Sequence, residues 1–577
     1  MELECLVYGA GHADEGICLL LRIGQYRILL DCGLANLTPL ITRKGIPPAD
    51  IVLCSHAHAD HARGLLRLHQ EFPRLPIYAS EVTTQLLPFN WIETVPDELP
   101  LFCQALPWRT PVEFLDGLTA ELYPAGHLPG AAAILLTYTP TQPGEGSQRS
   151  YQVFYTGDFF LSNSRLVEGF PLEELRGLSP DVLILEGSYG TARHPHRRQQ
   201  ENQLADRINR ALANRQSILL PASPLGLGQE LLMLLRSHHY FTGRDIDIWV
   251  DRSVAAGCDL YLDILPHLPT SVQNFARHQS LFWDERIRPR VRRFDPEYIP
   301  DWETSPAIVL VDEAADLRQY YQTKPDHWLV LLPLEPHRSR FKQESEVAEP
   351  RKPGPKSQRQ PSQPELAQTV PSPLTETYLL AQHCDGPGTT QLIHNLRPQH
   401  VVFVHGSPTY LADLTGLEEL QHRYQLHSPA MGSLVDLPIG ETFIQPAAPD
   451  SSYEGELTEL DTVITITLPN AVTADPRWQA LADTGLIEAR WQGDELVLRG
   501  LTQRELLRQG GDRLLDWMDA NSPLRNCCGN CRHYRGQRCW NPASPLFEFK
   551  VTPEGFCPVF ESAQVAEEGE SENETEE

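Results

Sequence analysis

Positive charge is scarce in this chain. Lysine and arginine total 48 against 76 aspartate and glutamate, a formal net charge of −28 over 577 residues. A protein that neutralises phosphates through a broad basic face carries the opposite balance, so unselective nucleic-acid binding is not expected. Part of the excess lies in the tail, residues 563–577, which is acidic, poor in apolar residues and expected to be disordered. Long apolar runs are missing as well. None reaches the roughly 20 residues that a bilayer demands, so no membrane partner is expected. The start, Met1-Glu2-Leu3-Glu4, lacks the basic flank of a signal peptide, and a cytoplasmic location is the expectation. Cysteines number only 12. Most stand alone at strand-like positions (Cys18, Cys32, Cys54, Cys258), where a reduced, buried thiol is expected rather than a disulfide. No internal repeat is present.

What is there supports several cores. The length predicts more than one domain, and 41% hydrophobic residues can fill them. Apolar segments bounded by Gly, Asp or Pro read as strands at Leu19–Leu30, Ile51–Cys54, Val153–Tyr155 and Val182–Leu185. From Glu201 the pattern changes. Leu204, Ile208 and Leu212 recur at helical spacing, Ser217–Pro221 reads as a buried strand, and a helix is predicted from Leu225 through Leu235. Asp245–Val250 and Ala307–Val311 continue the alternation, which predicts a second α/β unit. Residues 341–375, rich in Pro, Gln, Ser, Lys and Glu, read as a disordered linker. Val401–Val404 is another buried strand. Beyond residue 448, strands are expected at Val463–Leu468 and Leu496–Leu498, and a helix at Glu505–Met518.

The most informative segment is Ser55-His56-Ala57-His58-Ala59-Asp60-His61, directly after the apolar Ile51–Cys54. A lone histidine is usually a satisfied core or surface residue. Three histidines and an aspartate at HxHxDH spacing, at the end of a buried strand, instead deliver several metal ligands to one point. A solvated His-rich loop does not account for the strand that leads into it.

This pattern resembles the metallo-β-lactamase hydrolase superfamily, as does the strand end Ile28-Leu29-Leu30-Asp31-Cys32-Gly33. The resemblance requires a later histidine and then an aspartate, and Gly126-His127 and Thr156-Gly157-Asp158 supply them in order. Three further segments resemble its nucleic-acid-cutting β-CASP branch, which includes RNase J and the pre-mRNA 3′-processing endonuclease. They are Leu185-Glu186-Gly187-Ser188-Tyr189-Gly190, Ala381-Gln382-His383-Cys384-Asp385 and Val404-His405-Gly406. The resemblance covers about residues 1–447. It implies an α/β fold: an αββα sandwich (1–200 and 376–447) with an inserted β-CASP α/β domain (201–375, the linker at 341–375 included). A small α/β segment (448–522), a cysteine module (523–562) and the tail would follow.

The resemblance also implies roles. His56, His58 and His127 would hold one Zn2+, Asp60, His61 and His405 a second, and Asp158 would bridge them. Two zincs about 3.5–4 Å apart can share a hydroxide and clamp an in-line phosphoryl displacement. Asp60, Glu186 and His383 are the catalytic candidates, with His383 as the acid for the departing oxygen and Glu186 orienting it or raising its pKa. The implied activity is a zinc-dependent ribonuclease, with RNA as the expected partner and DNA as the alternative.

Two departures set this chain apart. Where the branch often has an arginine after the second-domain strand, Pro221-Ala222-Ser223-Pro224-Leu225-Gly226-Leu227 ends in leucine. Where it often has a Ser/Gly-rich phosphate cradle, Asp312-Glu313-Ala314-Ala315-Asp316 places three carboxylates, which repel phosphate. The acidic turn and the net charge favour a competing expectation, hydrolysis of a small ester, thioester or nucleotide. A non-catalytic scaffold is the third. The basic stretch Arg193-His194-Pro195-His196-Arg197-Arg198 offsets the deficit, and Arg193, Arg197 and Arg198 are the candidate substrate-binding residues. Near the end, Cys528, Cys531, Cys539 and Cys557 lie in a segment with little apolar material. That composition suits a structural metal, either Zn2+ or a 4Fe–4S cluster, and a protein partner could dock on the same module.

Overall fold

Alternation along the first strands sets the architecture. Leu19, Leu21 and Ile23 join one apolar core, while Cys18 and Leu20 join another on the opposite face. A strand with both faces buried must lie in a sheet covered on both sides. The computed structural model describes residues 3–12, 15–41, 45–92, 101–140, 149–295, 305–321, 324–334 and 373–440. Beyond these it describes 456–460, 463–467, 487–492, 495–500, 531–535 and 538–541. The chain divides into two units, Met1–Ala448 and Pro449–Glu577.

In the first unit, β1 (Leu3–Ala10), β2 (Ile17–Ile23), β3 (Tyr26–Leu30), β4 (Ile51–Leu53), β5 (Ile77–Ser80) and β6 (Cys103–Leu106) run in chain order across a seven-stranded sheet. A late strand, β20 (Leu434–Asp436), completes it beside β1. The second sheet contains β7 (Val112–Leu115), β8 (Leu118–Pro124), β9 (Ala132–Tyr138), β10 (Tyr151–Tyr155) and β11 (Val182–Glu186), then β18 (His400–Val404) and β19 (Gln425–His427). Alternate residues of both sheets share a core that includes Val7, Leu19, Ile28, Ile134, Val153, Ile184 and Val402. Helices cover the outer faces, which gives the expected αββα sandwich. Burying each such Leu, Ile or Val stabilises the sandwich by about 1.5–3 kcal/mol before ordering costs.

Between β11 and β18 the chain builds a third sheet from β12 (Ser217–Ala222), β13 (Asp247–Val250), β14 (Arg290–Arg293), β15 (Ile308–Asp312), β16 (Trp328–Pro333) and β17 (Leu374–Tyr378). Its order is β14-β13-β15-β12-β16-β17, and every neighbouring pair is parallel. This is the inserted α/β domain.

The structure corrects local expectations. Leu19–Leu30 is not one strand but the β2–β3 hairpin. Ile23 pairs with Tyr26 across a two-residue turn, where Gly24 adopts φ +59°, a conformation that favours glycine. The helix expected from Leu225 starts at Leu227, because Gly226 (φ +93°) makes the turn out of β12 and Gln229 accepts its N–H at 2.9 Å. Of the linker expected at 341–375, residues 341–372 lie outside those described, while Leu374 and Thr375 already pair with Leu329 and Val330 in β17.

In the second unit, hairpins join Glu456–Leu460 to Val463–Thr467, Ile487–Gln492 to Glu495–Gly500, and Tyr534–Arg535 to Arg538–Cys539. The helix expected at 505–518 and Cys528 and Cys557 lie outside the described residues. Among the described residues, no helix is long and apolar enough to cross a membrane.

Candidate metal centre

Parallel strands deliver the site. β3 and β4 run parallel, as do β10, β11 and β18, so their C-terminal ends lie on common edges. Asp31 follows β3 in a left-handed conformation (φ +56°) and is fully buried. Its carboxylate accepts from Ser55 N at 2.6 Å, Ser55 Oγ at 2.7 Å and Tyr155 Oη at 2.6 Å, and pairs with His61 Nδ1 at 2.7 Å. Gly33 lets the metal loop approach, since a Cβ there would lie 1.6 Å from the Asp60 carbonyl oxygen. A short helix, Ala59–Ala62, then carries Asp60 and His61, whose ligand atoms join a different set from those of His56 and His58.

Three overlapping sets of ligand atoms result. His56, His58, His127 and Asp158 form one, Asp60, His61 and His405 a second, and Asp158, Glu186, His383 and His405 a third. Within each set the atoms lie within 4.8 Å of one another. Asp158 follows β10 and stands between the first two. Its Oδ2 is 3.5 Å from His56 Nε2 and 3.7 Å from His127 Nε2, while its Oδ1 is 3.2 Å from His61 Nε2 and 3.6 Å from His405 Nδ1.

The rings are anchored from behind. His58 Nε2 meets the Leu225 carbonyl at 3.2 Å, His127 Nδ1 the Gln382 carbonyl at 2.9 Å, and His56 Nδ1 the Ser55 hydroxyl at 3.1 Å. Such outer partners fix the tautomer and aim the other nitrogen forward. His405, also left-handed (φ +52°), is held by its N–H to Ala10 O at 2.7 Å and by Ser188 Oγ at 3.0 Å on Nδ1.

The donors fit a cation. His56 Nε2, His61 Nε2 and Asp158 Oδ1 are buried, face one another and make no hydrogen bond. Buried polar atoms are normally satisfied, so such a convergence marks a place for a positive ion. Burial drives His56, His58 and His127 below the usual histidine range, helped by His61 at His56 and by His383 at His127. They are therefore neutral, the form that binds metal. Burial also pulls His61 down, but Asp158 and Asp31 outweigh it and hold His61 well above that range. Burial pushes the Asp158 carboxyl up, yet His405 and His61 hold it well below the usual carboxylate range. This His/Asp cluster suits a divalent metal.

Beside it, Glu186 accepts from Phe159 N at 2.6 Å and from Ser188 Oγ, and pairs with His383 Nδ1 at 2.8 Å. His383 is the more open of the two, 18% exposed against 2% for Glu186. Arg193 and Arg198 lie on the surface. Arg197 turns inward instead. Its guanidinium is 8% exposed, pairs with Glu230 at 3.2 Å and donates to the Ala381 carbonyl, so its charge is engaged inside the protein. Leu227 is buried at the head of its helix. The acidic turn follows β15, where Glu313 N bonds the Ala222 carbonyl at 3.2 Å, on the sheet edge that also carries Leu225. Cys531 is a buried free thiol.

Sequence reasoning overlooked the supports. Asp31 was visible only as part of a strand-end motif, and Ser55, Tyr155 and Ser188 carried no signal of their role. The Leu225 and Gln382 carbonyls carry no sequence signal at all.

A family profile described as a beta-lactamase superfamily domain matches residues 26–212. A Synechocystis sp. protein of uncharacterised function is 49% identical over 576 residues, 97% of this chain and 97% of its own. A probable RNase of Methanocaldococcus jannaschii is 28% identical over 267 residues, 43% of this chain and 59% of its own length. A ribonuclease of Thermus thermophilus is 29% identical over 293 residues, 47% of this chain and 63% of its own. The chain thus spans less than two thirds of these two ribonucleases.

Proposed function

Because this chain belongs to the β-CASP branch of the metallo-β-lactamase superfamily, we propose that it is a ribonuclease that hydrolyses RNA phosphodiester bonds with two zinc ions. The observation that carries the reading is Asp158, which offers one carboxylate oxygen to each of two histidine sets. His56, His58 and His127 would hold one ion and Asp60, His61 and His405 the other, with Asp158 shared. Zinc bound there supplies Lewis-acid charge to a phosphoryl group and makes water acidic near neutral pH.

The chain's own groups do the rest. Glu186 holds Nδ1 of His383, so proton exchange with the substrate falls to Nε2. The same carboxylate balances the imidazolium that would protonate the departing ribose oxygen. Glu186 is in turn fixed by Phe159 N and Ser188, which keeps the ring in place. Arg193 and Arg198 would guide the strand's phosphates. In the second unit, Cys528, Cys531, Cys539 and Cys557 are proposed to bind a structural zinc or a 4Fe–4S cluster.

The test is cleavage of end-labelled RNA by the purified protein and by Asp60→Ala and His383→Ala variants, with metal content measured on each. Asp60→Ala should lose metal and cleavage together. His383→Ala should keep its metal and lose cleavage by roughly 10²–10⁴-fold. Equal cutting by all three would trace the activity to a contaminant. The acidic turn Asp312–Asp316 favours a second reading, a hydrolase of small esters, thioesters or nucleotides. Turnover of a small ester with RNA left intact would select it.

A further inference from the structure

The loop that carries His127 has another face. Its residue Leu128, with Trp108 and Glu168, lines one side of an open cavity of about 330 Å³, and Pro266, His267 and Gln273 of the inserted domain line the other. None of these side chains belongs to the metal sets. We infer that this cavity is a nucleobase subsite selective for guanine, next to the loop that bears a metal ligand. That an RNA strand brings the base there rests on the ribonuclease reading; the recognition chemistry does not.

Size and shape come first. Small-molecule sites typically begin near 300 Å³, enough for one nucleoside. Trp108 is half-buried and packs on the core between the two sheets, so its position is fixed. An indole set in a cavity wall is a stacking platform for a base, and stacking is indifferent to sequence. The wall beside it is rigid too. Glu230 accepts from Arg165 N at 3.0 Å and Leu166 N at 2.8 Å, which pins the segment leading to Glu168.

Selectivity comes from acceptors. Gln273 Nε2 donates to the carbonyls of Pro266 at 2.9 Å and Leu268 at 2.8 Å, so both amide hydrogens are engaged and Oε1 is the atom left to offer. Glu168 is exposed and offers a carboxylate. The nearby Arg109 is itself paired with Glu174 at 2.8 Å. A carboxylate and an amide oxygen call for a base with adjacent donors. Guanine alone presents N1–H and the N2 amino group side by side, a match for a bidentate carboxylate. Adenine and cytosine offer one amino group on that edge and uracil one N–H. Such a site lets a strongly acidic protein select RNA through base donors rather than through a basic face.

The test titrates guanosine, inosine, adenosine, cytidine and uridine, all without phosphate, into the full-length protein and follows binding by saturation-transfer NMR and calorimetry. In parallel, the ends of cleaved RNA are sequenced. Guanosine should bind about tenfold tighter than inosine, which lacks the N2 amino group, and than the other nucleosides. Glu168→Gln, at an exposed position, should remove that advantage. Trp108→Ala should weaken every nucleoside about tenfold. Equal binding of all five nucleosides, or a guanosine preference that survives Glu168→Gln, overturns the inference. Guanosine binding with RNA left uncut keeps the subsite and removes the ribonuclease reading. RNA cutting with no guanine at a fixed distance from the cut, in wild type and Glu168→Gln alike, removes the subsite and keeps the ribonuclease reading.

Discussion

His61 leans on the buried Asp31 carboxylate, whereas His58 and His127 rest on the backbone carbonyls of Leu225 and Gln382. The contrast extends to charge. Asp158 and Asp31 hold His61 above the usual histidine range, while burial holds His56, His58 and His127 below it. It extends to origin as well. Asp31, Ser55 and Tyr155 all come from the sandwich, but Leu225 follows β12 of the inserted sheet and Gln382 follows β17. One ligand set is therefore supported from within the sandwich, and the other is completed by the insertion. An inserted domain can thus act on a metal centre without contributing a ligand, by fixing how the ligand rings face.

The sharpest way to break this comparison is to remove the group that both sets share. Asp158→Ala should lower RNA cleavage about a thousandfold or more and reduce metal content in both sets. Elemental analysis showing two ions retained would contradict the shared role. Next in size is Asp31→Ala, which strips His61 of its anchor and leaves Ser55 and Tyr155 without their acceptor. Metal affinity of the Asp60/His61/His405 set should fall about 10–100-fold, with the other set less affected, in a competition titration against a chelator. Stability should drop by about 3 kcal/mol or more in denaturant unfolding.

Gly226→Ala probes the other set. The glycine sits at φ +93°, and a Cβ would come within 3.2 Å of Leu128 Cδ1, 3.3 Å of Gln382 Nε2 and 3.7 Å of His58 Nε2. Backbone strain of about 1–2 kcal/mol is expected, with metal loss confined to the His56/His58/His127 set. Equal loss from both sets would show that the insertion supports them alike.

The smallest effect is a control remote from the centre. His400 Nδ1 and His427 Nε2 lie 3.1 Å apart, and His400 Nε2 meets the Pro438 carbonyl. Burial holds both below the usual histidine value, at His427 with help from His400, while Asp181 pulls His400 the other way. Folded values below the unfolded one mean that the unfolded chain takes up more protons as the solution acidifies. Stability is therefore present above the ordinary histidine value near 6.5 and is lost as pH falls through it. The melting temperature should decline between pH about 7.5 and about 5.5. The decline should be shallower in His427→Gln, and the difference between the two proteins should be the same with or without added zinc.

The His, Asp and Glu side chains that converge at the centre were legible one by one. HxHxDH after Ile51–Leu53, Asp158 after β10, Glu186 as the last residue of β11 and His405 after β18 mark strand ends in the sequence, and parallel strands bring their ends to a common edge. Arg197 was misleading for a physical reason. Arginines in a basic run look solvated, yet the partner of this one, Glu230, lies 33 residues away on another helix. The β2–β3 hairpin was missed because its turn is only Gly24-Gln25, which leaves the apolar residues on either side close enough to read as one strand.

By itself, the sequence determined that a His/Asp cluster suited to a divalent metal forms, the order of its residues and the presence of an insertion, because strand periodicity and residue spacing are local properties. Tertiary structure alone decided what holds those ligands and what surrounds them. Asp31 reaches His61 across 30 residues, the Leu225 carbonyl meets His58 across 167, and Gln382 meets His127 across 255. The Trp108 cavity likewise needs walls from both the sandwich and the insertion. Backbone carbonyls carry no side-chain identity, and contacts over such separations exist only once three sheets have packed.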